Sequence, residues 1–230
     1  MISPTGRLPI GPTGESRRGR APSTLPLGVR LSPLAYVPVF LGWYFALEGR
    51  PTASMLVVES PLDALVPFDA RWIVAYLAWF PYLLGGIAWL IVRDLRTYRE
   101  VPKLAFFLIL GMTACLVGYT FWPTTVTLRP EVYPDQGWAT VVVAALQGFD
   151  DPANVFPSLH VYTSIVVAYV VATSASVRPW VRWASGVTCV LIAASTCFLK
   201  QHSILDAAGA LALFAFVWLA WRGVRPRPEP

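Results

Sequence analysis

The chain has few charged residues and only two histidines. Of its 230 residues 13% are charged, 56% are hydrophobic, and the mean hydropathy is +0.56. A soluble domain of this length has too few buried positions for so many apolar side chains. The sequence therefore indicates an integral membrane protein. The net charge of +5 does not indicate a nucleic-acid partner, because the basic residues follow the pattern that a bilayer favours.

Features of several other protein classes are also missing. Cys115, Cys189 and Cys197 have no spacing typical of a pair and are predicted to be small buried fillers. No Cys/His or carboxylate cluster predicts a metal site, and no cofactor is expected. Residues 1–32 have no apolar run of the kind a signal peptide contains. They are predicted to form a disordered, basic cytoplasmic tail, and residues 223–230 a second, short one.

Six apolar stretches predict six transmembrane helices, forming one membrane domain over residues 33–222. Most are near the ~20 residues that span a bilayer, and tilt accommodates the shorter ones. The first is short, contains Pro38, which should kink it, and is predicted to gain apolar length from Leu31 and Val57–Val58. The fold class is an all-α integral membrane protein with six spans: Leu34–Leu47, Trp72–Val92, Leu104–Trp122, Val161–Ala175, Val181–Phe198 and Ile204–Trp221.

The basic residues predict the orientation. With the N-terminus inside, fourteen of the eighteen lysines and arginines lie on inner segments, and four lie outside: Arg50, Arg71, Arg129 and Lys200. Cytoplasmic loops carry such an excess of basic residues. Both termini are therefore predicted inside, with the protein in the plasma membrane. The outer segment 48–71 is predicted to be a solvated loop with a short interfacial helix, and Trp138–Leu146 a short amphipathic helix at the surface.

Both histidines then fall at the outer ends of predicted spans. His202 and Asp206 are four residues apart, so a helix would bring them onto one face. A carboxylate that holds one ring nitrogen leaves the other free as a nucleophile or base. Asp206 is also the one acidic residue inside the sixth span, where a carboxylate usually has a partner or a function. His160 opens the fourth span and is predicted to meet His202.

The segments Pro157-Ser-Leu-His160 and Ser195-(six residues)-His202-(three residues)-Asp206 resemble the type 2 phosphatidic-acid phosphatase superfamily. That resemblance implies six helices and a phosphate site on the outer face. Arg129-Pro130 is similar to the end of the family's first motif, Lys-(six residues)-Arg-Pro. The Phe-Pro-Ser-Leu-His form is closest in style to the branch that includes inositol phosphorylceramide synthase, whose members transfer phosphoryl head groups to alcohols.

Three positions depart from the family pattern. Trp122 occupies the lysine position of the first motif, Leu159 the usual glycine of the second, and Thr196 the arginine of the third. Two basic phosphate contacts are therefore missing. Lys200, two residues before His202, is predicted to replace one of them.

The resemblance implies a metal-independent lipid phosphatase or phosphotransferase with a phosphohistidine intermediate. His202 is the expected nucleophile, Asp206 its orienting partner and His160 the general acid. The expected substrate-binding residues are Arg129, Lys200, Ser158, Ser195 and Thr196. The expected partners are a lipid phosphate or pyrophosphate, the bilayer lipids, and an alcohol or lipid acceptor.

Two other classes stay open. A non-catalytic membrane scaffold or lipid transporter is favoured by the missing basic residues, but apart from Asp206 the spans carry almost no ionisable residues that would line a path. A vanadate-using oxidase is the third class, because soluble relatives of the family hold vanadate in a phosphate-like site.

Overall fold

The computed structural model describes residues 25–95, 97–133 and 137–224, and their regular structure is mostly helical. Two short strands, β1 (Leu56–Val57) and β2 (Thr124–Thr125), pair in parallel. The parts of the predicted tails at 1–24 and 225–230 lie outside the described residues. Nine α-helices follow one another in the described chain: α1 (Leu27–Leu31), α2 (Tyr36–Leu47), α3 (Ile73–Leu77), α4 (Trp79–Asp94), α5 (Glu100–Phe121), α6 (Trp138–Phe149), α7 (Leu159–Thr173), α8 (Pro179–Phe198) and α9 (Ile204–Val224).

Four helical segments in the described part of the chain are long and apolar enough to cross a membrane. They are Ala70–Asp94, Glu100–Phe121, Pro179–Phe198 and Ile204–Val224. The 22 residues of α5 measure about 33 Å, close to the thickness of a hydrocarbon core. These segments are those of a membrane protein. Helices α2 and α7 are shorter, with 12 and 15 residues, so six crossings and their orientation stay a prediction.

The first predicted span differs from expectation in three details. Helix α2 continues through Pro38, because proline in the first turn of a helix removes no intrahelical hydrogen bond. The irregularity lies at Pro33, in a 3₁₀ turn that joins α1 to α2. Val57 does not extend the span, because it pairs with Thr125 between β1 and β2. Helix α1 lies within the segment predicted as a tail.

Helix α7 is the centre of the bundle and packs against α4, α5, α8 and α9. Its Tyr162 and Val166 are fully buried, and the Tyr162 hydroxyl donates a 2.7 Å hydrogen bond to the Phe107 carbonyl. Gly111 makes room for this tyrosine, since a Cβ there would lie 1.9 Å from the Tyr162 ring. Because four helices surround α7, its polar first turn is shielded from lipid. For the same reason α7 can be shorter than the helices around it.

The two ends of the bundle differ in charge. At one end, basic side chains of α4, α5 and α8 bind the connection over residues 173–176: Arg93 and Arg182 donate to carbonyls and Lys103 to a hydroxyl, at 2.7–2.9 Å. The opposite end carries the first turns of α7 and α9, and therefore both histidines. This separation agrees with the charge pattern along the sequence.

Helix α6 covers part of the histidine end and confirms the short helix predicted at Trp138–Leu146. Its buried residues Ala139 and Val143 pack against Ile73, Tyr76 and Leu199. The apolar face of this amphipathic helix therefore packs against the start of the α3–α4 segment.

Candidate active site

His202 lies in the short turn between α8 and α9 and is held by Asp206. The His202 Nδ1 atom is 3.2 Å from Asp206 Oδ2. His202 lies two residues before α9 rather than on the helix, as the sequence interpretation assumed. The contact forms because Asp206 is in the first helical turn and reaches back, accepting the Ser203 N–H at 2.9 Å as well. The Ser203 hydroxyl in turn accepts the Leu205 N–H at 3.1 Å, so the side chains of Ser203 and Asp206 together cap the start of α9.

The backbone fixes His202 from the side of α8. The Thr196 carbonyl accepts hydrogen bonds from the N–H groups of Gln201 and His202, at 3.0 and 3.1 Å. Lys200 makes the turn possible with a positive φ of 57°, which costs a non-glycine residue about 1–2 kcal/mol. Because a carboxylate only accepts hydrogen bonds, this contact favours the tautomer with its proton on Nδ1, which leaves the Nε2 lone pair available to a substrate.

His160 is in the first turn of α7 and faces His202. The centroids of the two rings are 5.7 Å apart. The two motifs also touch through the backbone, because the Ser158 N–H donates to the Asp206 carbonyl at 3.1 Å. The Tyr119 hydroxyl donates to the Pro157 carbonyl at 2.5 Å and ties this turn to α5. The predicted meeting of the two histidines is therefore present in the structure.

Two aromatic rings of the α3–α4 segment hold the His160 ring. The ring centroids of Tyr76 and Trp79 lie 4.7 and 4.4 Å from that of His160. The Trp79 indole is itself fixed, since its N–H donates to the Thr163 hydroxyl at 2.9 Å. The orientation of His160 thus depends on three helices.

A cavity of about 410 Å³ opens in front of the two histidines. Its polar wall includes Arg129, His160, Gln201 and His202. The rest of its wall is mostly apolar and comes from α2, α4, α5 and α6, with residues such as Phe40, Leu41, Phe45, Phe80, Leu83, Met112, Leu146 and Phe149. A polar end joined to an apolar channel fits an amphiphile with a phosphate head.

Arg129 reaches the cavity from the loop after β2, but it is paired with an acidic residue. Its guanidinium donates to the Asp150 carboxylate at 3.2 Å and to the carbonyls of Asp150 and Asp151. Glu131, two residues after Arg129, accepts the Tyr133 hydroxyl. Burial raises the pKa of the Asp150 carboxyl, and the positive charge of Arg129 acts against that rise.

The other four predicted substrate-binding residues have their polar groups directed elsewhere. Lys200 Nζ donates to the Asp63 carbonyl at 2.5 Å. The Ser195 and Thr196 hydroxyls donate to carbonyls of their own helix at 2.6 and 2.8 Å, as such hydroxyls often do in helices. The Ser158 hydroxyl caps α7 by accepting the Val161 N–H. Their contribution to substrate binding stays a prediction.

The three departures from the family pattern also have positions in the structure. Trp122 is 63% exposed, away from the cavity, and Thr196 is fully buried. Leu159 lies on the cavity wall, where the usual glycine would leave space. Among the described residues, Arg129 is thus the one lysine or arginine that lines the cavity.

Asp63 was missed from the sequence, because segment 48–71 was interpreted as a solvated loop. That interpretation is wrong for this residue, which is 3% exposed. Its carboxylate accepts hydrogen bonds from the Ser203 hydroxyl at 2.7 Å and from the Ile204 N–H at 2.8 Å. The signal available was local: Ser60-Pro-Leu-Asp63 has the spacing of a capping box. It predicts a helical turn but gives no indication of the partner 140 residues away.

In the described residues, no group of three or more histidines, cysteines and carboxylates is arranged to hold a metal ion. The three cysteines are free, with Cys115 and Cys189 buried and Cys197 half-buried. A metal-independent reaction stays a prediction.

Comparison with known proteins identifies the family. The sequence model of the PAP2 superfamily matches residues 56–220, which include both histidines, Asp206 and Arg129. The chain therefore belongs to the PAP2 superfamily, the membrane phosphatases and phosphotransferases indicated by its two histidine motifs. No curated protein and no solved structure matches it significantly, so the branch near inositol phosphorylceramide synthase is not confirmed.

Proposed function

We propose that this protein is a membrane lipid phosphatase or phosphotransferase that works through a phosphohistidine at His202. The observation that carries the proposal is the pairing of His202 Nδ1 with Asp206 at 3.2 Å, with the His160 ring 5.7 Å away across the same cavity. An oriented histidine opposite a second one provides a nucleophile and an acid for one phosphate ester.

The chemistry runs in two steps. In the first, His202 Nε2 forms a bond to phosphorus while the bond from phosphorus to the leaving oxygen breaks, and His160 gives that oxygen its proton. The negative phosphate between the rings favours the protonated form of His160. In the second, water or an alcohol attacks phosphorus, the P–N bond breaks, and His160 takes the proton from the attacking hydroxyl.

Charge on the phosphoryl oxygens needs stabilisation from positioned donors. Arg129 is the candidate for this role, and Lys200 and the hydroxyls of Ser158, Ser195 and Thr196 are proposed contributors once substrate has bound. In the present conformation these four groups have protein partners, so their participation requires those hydrogen bonds to be exchanged for bonds to phosphate.

The charge balance of the cavity favours head-group transfer from a phosphodiester over hydrolysis of a phosphomonoester. Arg129 is paired with Asp150, and Asp151 lines the same wall. A phosphodiester carries one negative charge, whereas a monoester dianion carries nearly two and needs more cationic partners. The lipid tail is proposed to occupy the apolar part of the cavity, and the site to face the outer side of the plasma membrane.

The test is a product assay with purified protein in detergent, without added metal. Phosphatidic acid, lysolipid phosphate, polyprenyl pyrophosphate and phospholipid head-group donors are offered, with and without an alcohol acceptor. Phosphate release that is absent in His202→Ala identifies a phosphatase, and a new phospholipid that depends on the acceptor identifies a transferase. Silence in both assays would favour the alternative, a non-catalytic membrane scaffold or lipid transporter with the same fold.

A further inference from the structure

Asp63 is bound to the turn that carries His202 although it is far from it in sequence. It lies in a 3₁₀ turn over Pro61–Leu65 and is nearly fully buried. Its Oδ2 atom accepts the Ser203 hydroxyl at 2.7 Å, and its Oδ1 atom accepts the Ile204 N–H at 2.8 Å. Both partners follow His202 within two residues.

A third contact reaches the other side of His202. Lys200 Nζ donates to the main-chain carbonyl of Asp63 at 2.5 Å. Lys200 is only 9% exposed. Burial of its ammonium group costs free energy, and this hydrogen bond offsets part of that cost. Residues on both flanks of His202 are therefore anchored to one residue.

The Asp63 turn is itself well fixed. Its carboxylate accepts the Ser60 N–H at 2.7 Å, and the Ser60 hydroxyl accepts the Leu62 N–H at 3.2 Å. Burial acts to raise the pKa of the Asp63 carboxyl, but the hydrogen bonds from Ile204, Ser203 and Ser60 outweigh it and lower the pKa below its usual value. The carboxylate is thus charged at neutral pH, when hydrogen bonds to it are strongest.

We infer that Asp63 is a positioning residue for His202: through Ser203, Ile204 and Lys200 it holds the turn between α8 and α9 so that the His202 ring faces the cavity. The positioning of the turn follows from these contacts alone. Its expected effect on kcat rests on the proposed function. A nucleophile displaced by about 1 Å can lose a hundredfold in rate, so the loss should fall on kcat, while KM depends on the cavity walls, which Asp63 does not contact.

Two variants separate the contacts. Asp63→Ala removes the whole carboxylate, whereas Asp63→Asn keeps an acceptor for the Ile204 N–H but places an amide N–H beside the Ser60 N–H. We expect kcat to fall about 30- to 100-fold in Asp63→Ala, with KM changed less than threefold, and Asp63→Asn to recover part of the loss. Ser203→Ala removes the same contact from the other side, together with the acceptor of the Leu205 N–H. In the double variant its effect should be smaller than in the wild type, because the contact with Asp63 is already lost.

The matched control is Asp69→Ala. Asp69 belongs to the same outer segment, and its carboxylate binds only Arg71 and the Arg71 N–H, near the exposed surface. This variant should keep both kcat and KM within twofold.

A second readout does not depend on activity. Amide hydrogen exchange of Gln201 and His202, both bonded to the Thr196 carbonyl rather than to Asp63, should be at least tenfold faster in Asp63→Ala and unchanged in Asp69→Ala. Faster exchange in a protein without any lipid phosphotransfer would leave the positioning role in place and refute the proposed function. Unchanged exchange, or a loss confined to KM, in folded Asp63→Asn and Asp63→Ala would refute the positioning role.

Discussion

The Nδ1 atom of His202 lies 3.2 Å from the Oδ2 atom of Asp206, and the same oxygen accepts the Ser203 N–H at 2.9 Å. One carboxylate oxygen therefore both orients the histidine and caps the helix that follows it. An asparagine that places its amide oxygen in the Oδ2 position can accept both N–H groups, because Oδ1 of Asp206 has no hydrogen-bond partner among the described residues. The substitution therefore removes the negative charge behind His202 and keeps these hydrogen bonds.

Asp206→Asn should therefore lower kcat strongly while the protein stays folded. The neutral amide does not stabilise the positive charge that the His202 ring gains when Nε2 bonds to phosphorus. Loss of the orienting carboxylate behind a catalytic histidine costs up to about 10⁴-fold in kcat in a serine protease, and a fall of about 10²-fold or more is expected here. The measurement is turnover in detergent, with the thermal melting curve as the control for folding. A variant with full activity would exclude a catalytic role for the negative charge of Asp206.

His160→Ala should affect substrates according to their leaving groups. A lipid alkoxide leaves only with a proton, so loss of the general acid should lower the rate by about 10²- to 10³-fold. An aryl phosphate such as p-nitrophenyl phosphate leaves without protonation in the first step and should lose much less. Equal losses for both esters would contradict the role of His160 as the acid.

Asp150→Asn should strengthen binding of an anionic lipid. The variant removes the carboxylate that pairs with Arg129 at 3.2 Å but keeps the backbone carbonyls that hold the guanidinium. An exposed ion pair contributes about 1 kcal/mol or less. This pair is more buried than that, so KM should fall by about fivefold or more. Asp151→Asn is the comparison variant, because only the main-chain carbonyl of Asp151 contacts Arg129. A raised KM in Asp150→Asn would mean that the carboxylate positions Arg129 rather than competing with phosphate.

The contribution of Asp63 to stability should depend on pH. Its pKa is lower in the folded protein than its usual value near 4, so its stabilisation is complete above that value and is lost as the pH falls below it. The melting temperature of the wild type should exceed that of Asp63→Asn at pH 6, and the difference should shrink toward pH 3. A difference that stays constant over this range would show that the charge of Asp63 is not involved.

The sequence predicts correctly those features of the site that depend on residues close together in the chain, or on which helix ends lie on the same side of the bundle. The pairing of His202 with Asp206 follows from a spacing of four residues, although the contact is made by the helix start rather than along a helix face. The approach of His160 follows from placing both histidines at the same ends of helices. The short helix at Trp138–Leu146 follows from its apolar pattern.

The contacts that Lys200, Ser195, Thr196 and Asp63 make in this conformation could not be predicted from the sequence. Lys200 was expected at the phosphate, but its positive φ directs the chain so that Nζ meets Asp63. Ser195 and Thr196 lie in the last turn of α8, and their hydroxyls donate to the carbonyls of Ile192 and Ala193, three residues earlier in the same helix. Asp63 acts across 140 residues, and no local pattern encodes that partner.

The central claim is that phosphate is carried on His202, and direct detection of the phosphoenzyme tests it most closely. Purified protein is mixed with a ³²P-labelled lipid substrate identified in the product assay, quenched in alkali after milliseconds to seconds, and mapped by mass spectrometry. An acid-labile, alkali-stable phosphate is expected on His202 in the wild type, and none is expected in His202→Ala. Continued turnover in His202→Ala, or turnover of the wild type with no phosphate on His202 at any time, would contradict it.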